Sequence, residues 1–367
     1  MPLEIIFQDP ITQWNWKIGV YVALIGLAGG AYLTGYVSDL LADRSGSKTH
    51  GAVAKFGYLL GFLGAAIGGP VLLSHLATPF RAMMIPLTMT NLGSWMAIGS
   101  YLIMLFVVGT VLMFLWLAFG QERPYGAASA MPDGGREVAS DGGDPGTAKA
   151  STSGGFRGVA ASVGLLGPVD SLADYTRPTK KVRFGIGGIF ALIAAGVLLY
   201  SAMAFGEGST GRVPLWDKTF LIPVQILSGL GVGLAASVGL TAAVDRSFGA
   251  DLRKQATAAA GLLAGTLLAL VATVLFLPGV REGAQPAVDN LLGANAVGFV
   301  GGALVAGLVV PIVLFGVGIY GGRSGSLSEN GIASAYVAAA VLAVIGKILL
   351  ALSYLLAAEF TPLPLPA

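Results

Sequence analysis

WNWKIGVYVALIGLAGGAYLTGYVSDLL, residues 14 to 41, decides the fold class of this chain. The 24 residues from Ile18 to Leu41 contain no ionisable side chains except tyrosines and Asp39. As a helix they extend about 36 Å, enough to cross a hydrocarbon core about 30 Å thick. The preceding tryptophans and Lys17 suit a membrane interface. The stretch therefore predicts a transmembrane helix. A cleaved signal peptide is the alternative, but the span is long and no short basic segment precedes it.

The same stretch has a face of small residues. Gly26 and Gly30 form a GxxxG spacing, and further small residues complete the face: Ala23, Ala28, Gly29, Ala31 and Gly35. Small residues let helix backbones approach closely in lipid, where packing drives helix association. We expect this helix to be a buried hub of a helix bundle.

Composition extends this interpretation to the whole chain of 367 residues. It is 55% hydrophobic and 11% charged, against about 25% charged in soluble domains, and its mean hydropathy is +0.78. With no cysteine, disulfides, thiol catalysis and cysteine-ligated iron–sulfur clusters are excluded. The chain has two histidines, His50 and His75. Because His50 falls in a predicted polar loop, no bis-histidine haem is expected inside the bundle.

Eight apolar spans are predicted, which makes the chain an all-α integral membrane protein, arranged as two four-helix bundles in a single domain over 1–367. Their approximate ranges are 18–41, 53–76, 95–119, 184–205, 219–244, 256–278, 295–320 and 332–358. The connection at 120–182 is rich in Gly, Ser, Asp and Pro and predicts a flexible cytoplasmic loop insertion. Its later part, 156–173, is apolar enough to lie on the membrane surface or to dock on the bundle.

Lysine and arginine residues predict the orientation. If both termini lie outside, the cytoplasmic loops hold fifteen of the 21 basic residues, the outer side holds five, and Lys347 lies inside the last span. Cytoplasmic loops carry an excess of basic residues, so this asymmetry places the chain in the cell membrane with both termini outside.

Polar residues from several predicted helix ends fall on the outer side. The candidates for binding a lipophilic ring with two carbonyl groups are Tyr200, His75, Tyr21, Asn91, Trp216 and Arg81. Tyrosine and histidine are natural hydrogen-bond donors, and histidine can pass a proton near neutral pH. All of them except Asn91 have a simpler interpretation: interfacial aromatics for the tyrosines and Trp216, a helix cap for His75, and contact with lipid headgroups for Arg81.

Lys347 and Asp39 are candidates for a proton path. A lysine near the middle of an apolar span is costly and marks a functional candidate. Tyr354, seven residues further along the same helix, or groups on another helix are its candidate partners. Asp39, near the inner end of the first span, would form the inner mouth of the path, and the simpler alternative is a solvated side chain.

These segments together resemble the NrfD/PsrC family, the quinone-interacting membrane subunits of polysulfide-reductase-type complexes. The resemblance rests on IGVYVALIGLAGGAYL, on SHLATPFR, on NLGSWMAIGS, and on YSAMAF followed by VPLWDKTFLIPVQILSGLGVGLA. The sequence departs from the family pattern at Ala77 and Thr78, where the family has Gly-Arg, and at Ser201 and Ala202, where it has Thr-Gly. The arginine that members often carry in the last helix is not evident in this sequence, and Lys347 is the candidate to replace it.

The resemblance implies a membrane anchor that exchanges electrons between the quinone pool, expected to be menaquinone, and an extrinsic ferredoxin-like iron–sulfur subunit. That subunit would serve a molybdopterin catalytic subunit. The chain would hold no haem, iron–sulfur cluster or metal, and would be part of an enzyme complex, not an enzyme alone. The alternative from another class is a secondary transporter with a midplane site near Lys347. A structural anchor without quinone is the third interpretation.

The predicted orientation can be tested because the chain has no native cysteine. Single cysteines at Ser153 and Thr361 should differ in intact cells: an impermeant thiol reagent should label position 361 and leave position 153 unlabelled. Detergent-permeabilised cells provide the control, since both positions should then react. Labelling of position 153 alone in intact cells would reverse the orientation.

Overall fold

The computed structural model describes residues 15–75, 84, 93–119, 160–208 and 213–358. Within these ranges the regular structure is helical, and eight helical segments are long and apolar enough to cross a membrane. The predicted all-α membrane fold with eight spans is therefore confirmed.

The helices are, in chain order, α1 (Trp16–Ser45), α2 (Lys48–Leu73), α3 (Trp95–Ala118), α4 (Leu166–Thr176), α5 (Lys180–Gly208), α6 (Lys218–Leu240), α7 (Ala250–Val280), α8 (Ala284–Leu292), α9 (Val310–Ser324) and α10 (Glu329–Leu356). A 3₁₀ turn at Pro214–Trp216 precedes α6, and a π-helical turn at Thr241–Asp245 follows it. A π-helix at Val297–Val309 continues into α9, and together they form the seventh span. Helices α4 and α8 are too short to cross a membrane.

Three spans begin at least four residues before their apolar runs. The second starts at Lys48, the fourth at Lys180 and the sixth at Ala250, where the sequence predicted 53, 184 and 256. Charged residues extend these helices beyond the hydrocarbon region, because a helix satisfies its own backbone hydrogen bonds in water as well as in lipid.

Helix α4 lies within the segment that the sequence assigned to a loop. The Trp116 indole N–H donates to the Thr176 hydroxyl at 3.0 Å. The Arg177 guanidinium donates to the carbonyls of Trp116 and Phe119, at the end of α3 where carbonyls lack helical partners. This part of the segment therefore docks on the bundle. Residues 120–159 lie outside the described part of the chain, and their flexibility stays a prediction.

Helix α1 is the hub, as its small residues predicted: 78% of its most apolar window is buried. Different glycines face different neighbours. A β-carbon on Gly29 would lie 3.0 Å from the Ala194 carbonyl oxygen of α5, and one on Gly35 would lie 3.1 Å from Cα of Gly57 in α2. Glycine therefore sets the distance from α1 to each of these helices.

The closest approach is between α1 and α6. A β-carbon on Gly30 would lie 1.9 Å from the Gly229 carbonyl oxygen, and one on Gly233 would lie 2.3 Å from the Ala31 nitrogen. Gly229 and Gly233 repeat the GxxxG spacing of Gly26 and Gly30, so the two motifs face each other. The two helix backbones touch without intervening side chains.

The other spans surround this pair. Helix α1 packs on α2 and α5, with α3 between these two, while α6 packs on α7 and α10, and α9 contacts both α7 and α10. Helix α1 also contacts α10, and α6 also contacts α2 and α5. Because both central helices touch members of each group, the division into two four-helix bundles stays a prediction.

Substituting Gly30 tests the contact between α1 and α6. Gly30→Val should strongly lower thermal stability in detergent, because its side chain has no space beside the Gly229 carbonyl and the helices must separate. Overpacking costs typically 1–3 kcal/mol, and we expect about 3 kcal/mol or more where the obstacle is backbone. Gly301→Val is the matched control, since a β-carbon at Gly301 meets nothing within 4 Å. Equal stability of the two variants would contradict the close contact.

Candidate functional site

We call the end of the bundle where α1 begins the proximal end, and the end where α1 finishes the distal end. Tyr21 of α1 and Tyr200 of α5 lie near the proximal end and are 3% and 8% exposed. The Tyr21 hydroxyl forms no well-aligned hydrogen bond with the described residues, although Tyr200 is its close neighbour. The Tyr200 ring packs on Gly99 of α3, where a β-carbon would lie 2.1 Å from Cε2. Three spans therefore meet around two buried tyrosines.

Trp216 is at the same end but is neither a lipid-facing belt residue nor a free donor. It is 2% exposed, and its indole N–H donates to the Tyr354 carbonyl at 3.0 Å. Its ring stands edge-on to Phe205, with ring centroids 5.3 Å apart. The belt interpretation of Trp216 is wrong: the 3₁₀ turn before α6 carries the ring inward, where it joins the ends of α5 and α10.

Of the remaining candidates, the structure places His75 at the proximal end. His75 follows α2, is half-buried, and its backbone N–H donates to the Leu72 carbonyl at 3.0 Å. Lys17 donates to the neighbouring Ser74 carbonyl at 2.9 Å, which ties the start of α1 to the end of α2. Asn91 and Arg81 lie outside the described residues.

Lys347 is the centre of a buried polar cluster. It is 3% exposed, and its ammonium donates to Gln225 Oε1 at 2.5 Å and to Ser228 Oγ at 2.6 Å. Both partners belong to α6, so of the two alternatives from the sequence the structure shows groups on another helix and not Tyr354. No carboxylate pairs with Lys347 among the described residues.

The cluster has room because Gly26 lacks a side chain. A β-carbon on Gly26 would lie 3.5 Å from Lys347 Nζ and 3.7 Å from Ser201 Oγ. Helices α1, α5, α6 and α10 therefore all meet at this point. Ser201 follows Tyr200 directly, so the lysine cluster adjoins the tyrosine pair. Gly26 is five residues after Tyr21, a rise of about 7.5 Å along α1.

A recognisable signal for the partners of Lys347 was present in the sequence. Gln225 and Ser228 are three residues apart in an otherwise apolar helix, which places both on one face. Polar groups that share a face of a membrane helix turn toward the bundle interior. The sequence does not reveal which other helix faces them, since that depends on the rotation of each helix in the bundle.

Asp39, near the distal end, is not solvated. It is 0% exposed and accepts two hydrogen bonds from the Arg183 guanidinium of α5, at 2.6 and 3.0 Å. Tyr58 of α2 adds a third hydrogen bond at 3.2 Å. A bidentate arginine and a tyrosine hydroxyl together compensate the buried carboxylate. Arg183 and Tyr58 were not among the predicted site residues.

A second buried chain of polar groups lies beside this pair. Gln255 Nε2 donates to Ser38 Oγ at 3.1 Å and lies 2.9 Å from His50 Nδ1. The other ring nitrogen of His50 lies 3.7 Å from Asp251. His50 is therefore not a loop residue, as the sequence suggested. It lies in the first turn of α2 and is 5% exposed.

Between Lys347 and Asp39 the interior contains tyrosines. Tyr32 packs on Tyr58 with ring centroids 5.0 Å apart, and its hydroxyl donates to the Gly187 carbonyl at 3.3 Å. From Gly26 to Asp39 the rise along α1 is about 20 Å. Among the described residues, no group of three or more His, Asp or Glu is placed to hold a metal ion.

The fold and the buried polar groups together define the class: a multi-pass α-helical membrane protein with polar chemistry inside its helix bundle. Residues 4–358 match the family described as polysulphide reductase, NrfD, and the chain belongs to this family. The resemblance seen in the sequence is thereby confirmed over nearly the whole chain. Membership indicates a membrane subunit of a quinone-interacting oxidoreductase complex in electron transport. A search of curated proteins finds no match.

The ion pair between Asp39 and Arg183 gives a stability prediction. Asp39→Asn should lower the free energy of unfolding by roughly 3–5 kcal/mol, because it leaves a mostly buried guanidinium without its counter-charge. Asp43→Asn is the matched control on the same helix. Asp43 pairs with Lys180, both side chains are partly exposed, and such pairs contribute about 0–1 kcal/mol. Thermal unfolding in detergent measures both, and equal shifts would contradict the burial of Asp39.

Proposed function

We propose that this chain is the membrane anchor of a respiratory molybdopterin oxidoreductase complex and exchanges electrons between quinone and an extrinsic iron–sulfur subunit. The headgroup site is at the proximal end, between Tyr21 and Tyr200, with His75 beside it. Trp216 shapes its wall, and Asn91 and Arg81 stay candidates on the basis of the sequence. The site takes a quinone of menaquinone type.

The observation that supports this site is the enclosed Tyr21 hydroxyl beside Tyr200. A buried donor without a well-formed hydrogen bond is costly, and a ligand is one explanation for it. The surroundings are apolar, with a few donors at one point, which suits a ring with two carbonyl groups. When bound, the quinone supplies a couple that exchanges two electrons and two protons. The tyrosine hydroxyls would hold a carbonyl oxygen and orient the ring.

The absence of cysteine supports the proposal that redox centres are supplied by partner subunits. With no cysteine, the chain cannot ligate an iron–sulfur cluster through thiolates. Electrons must pass to a neighbour, and a ferredoxin-like iron–sulfur subunit at the proximal end would lie close to the tyrosine pair. A molybdopterin subunit would then complete the reaction. The fifteen-to-five distribution of basic residues supports a proximal end that faces outward from the cell membrane.

Lys347 and Asp39 belong to the proton path of this proposal. Lys347 adjoins the tyrosine site through Ser201 and Gly26, and its amine can hold or release a proton where protons accompany electrons. Asp39, paired with Arg183, lies at the distal end of the path, and Tyr32 and Tyr58 lie between them. Family membership favours this role over a secondary transporter with a midplane site at Lys347.

Quinol-linked turnover of the purified complex tests the site. Tyr200→Phe should lower turnover about tenfold to hundredfold while the complex still assembles, because one hydrogen bond to a developing negative charge is worth about 1.5–3 kcal/mol. His75→Ala should lower turnover and flatten its pH dependence between about pH 5 and 8. Lys347→Met should slow turnover without loss of assembly, because methionine has a similar length and removes only the amine.

Tyr320→Phe is the control for loss of a tyrosine hydroxyl, since Tyr320 is 72% exposed on α9. It should retain full turnover. If Tyr200→Phe and His75→Ala both match the wild type in an assembled complex, the proposed headgroup site is wrong. Loss of turnover in Lys347→Met alone would then move the site to the lysine cluster.

A further inference from the structure

A separate candidate site lies at the distal end, far from the tyrosine pair, where α7, α9 and α10 meet. A small cavity there is lined by the start of α7, with Gly249 and Arg253, by Gly318 and Gly322 of α9, and by Tyr336 of α10. The cavity volume open to the centre of a water molecule is about 10 Å³. The cavity therefore has room for one atom or one water molecule, and not for a phosphate group.

Tyr336 brings an unpaired donor to this cavity. Its side chain is 0% exposed, and its hydroxyl has no hydrogen-bond partner among the described residues. The ring is fixed, because it packs on Gly318, where a β-carbon would lie 2.4 Å from Cε1, and on Phe315, with ring centroids 5.6 Å apart. Because the ring is fixed, the hydroxyl cannot reach another protein acceptor, and a ligand in the cavity would accept its hydrogen bond.

The charge around the cavity is positive. Arg253 is half-buried, and its guanidinium donates to the Gly322 carbonyl at 3.4 Å, which uses one of its five N–H donors. No carboxylate forms an ion pair with Arg253 within the described ranges. Helix α7 begins at this point with Gly249 as its N-cap and no side-chain cap, so its first N–H groups are free to bind an anion.

Asp251 belongs to the first turn of α7 but does not line the cavity. Asp251 lies two positions before Arg253 and therefore on the opposite face of α7. Its carboxylate pairs with Lys254 at 3.0 Å and approaches His50 of α2 at 3.7 Å. Glu329, at the start of α10, is exposed and two helical turns away from Tyr336.

We propose that this cavity binds a monatomic anion of the chloride type. The ligand accepts hydrogen bonds from the Tyr336 hydroxyl, from the Arg253 guanidinium and from the first turn of α7. The positive charge of Arg253 and the unpaired Tyr336 hydroxyl favour an anion over a cation, and the small volume favours a single atom over an oxyanion. The bound anion joins three helices at the distal end, where the hydrogen bond from Arg253 to the Gly322 carbonyl also connects α7 and α9. The proposal does not depend on the quinone site.

Chloride binding to the purified full-length protein in detergent tests the proposal directly. The line width of ³⁵Cl in nuclear magnetic resonance increases when chloride exchanges with a protein site, and gluconate at equal ionic strength gives the baseline. Wild-type protein should broaden the line, and Arg253→Gln should abolish the excess. Tyr336→Phe should weaken binding about tenfold to hundredfold, since it removes one hydrogen bond to a charged ligand.

Arg323→Gln is the matched control, because Arg323 is exposed at the end of α9 and does not line the cavity. It should retain the full excess width. The proposal is overturned if the wild type shows no excess, or if Tyr336→Phe and Arg253→Gln broaden the line as the wild type does. Either result would assign the cavity to a water molecule. Tyr336→Phe keeps the test decisive if Arg253→Gln fails to fold.

Discussion

The contact between the backbones of α1 and α6 is the constraint on which the rest of the structure depends. Gly30 lies against the Gly229 carbonyl, and Gly233 lies against Ala31, with no side chains between the helices. In lipid such packing replaces the hydrophobic effect as the source of helix association. The short distance also lets Gln225 and Ser228 reach the space beside Gly26. Without this contact, the polar groups of α6 would have no common point with α1 and α5.

The polar groups buried around Asp39 and those buried around Tyr21 and Lys347 differ in how completely they are paired. At the distal end, Asp39 has a guanidinium and a tyrosine as partners, and His50 and Gln255 bond to each other, so these groups stabilise a fixed arrangement. At the proximal end, the Tyr21 hydroxyl has no well-aligned bond, and the nearby lysine is held by neutral oxygens alone. A fully paired network rigidifies the structure, whereas incompletely satisfied groups are available to a ligand or a proton. The quinone and proton chemistry is therefore expected beside Tyr21 and Lys347, and the unpaired Tyr336 hydroxyl marks the separate cavity at the distal end.

Hydropathy was sufficient to predict the eight spans, and the glycine spacing was sufficient to predict that α1 is central, since both depend on properties within one segment. The partners of Lys347 and Asp39 could not be predicted in the same way. They depend on the rotation and height of neighbouring helices, which packing fixes only after all the spans have assembled. Trp216 shows the same limit, because an interfacial tryptophan and one turned inward by a 3₁₀ turn have the same sequence context. Helix propensity likewise did not distinguish His50 in a first helical turn from His50 in a loop.

The missing side chain at Gly26 links two positions that are 321 residues apart in sequence. Lys347 Cε would lie 3.3 Å from a β-carbon there, closer than most such contacts, and the ammonium lies just beyond it. A homologue that acquires alanine or a larger residue at position 26 must shorten or shift the residue at position 347. The two positions should therefore vary together during evolution. A longer and branched cation such as arginine at position 347 would demand glycine at position 26 more strictly than lysine does.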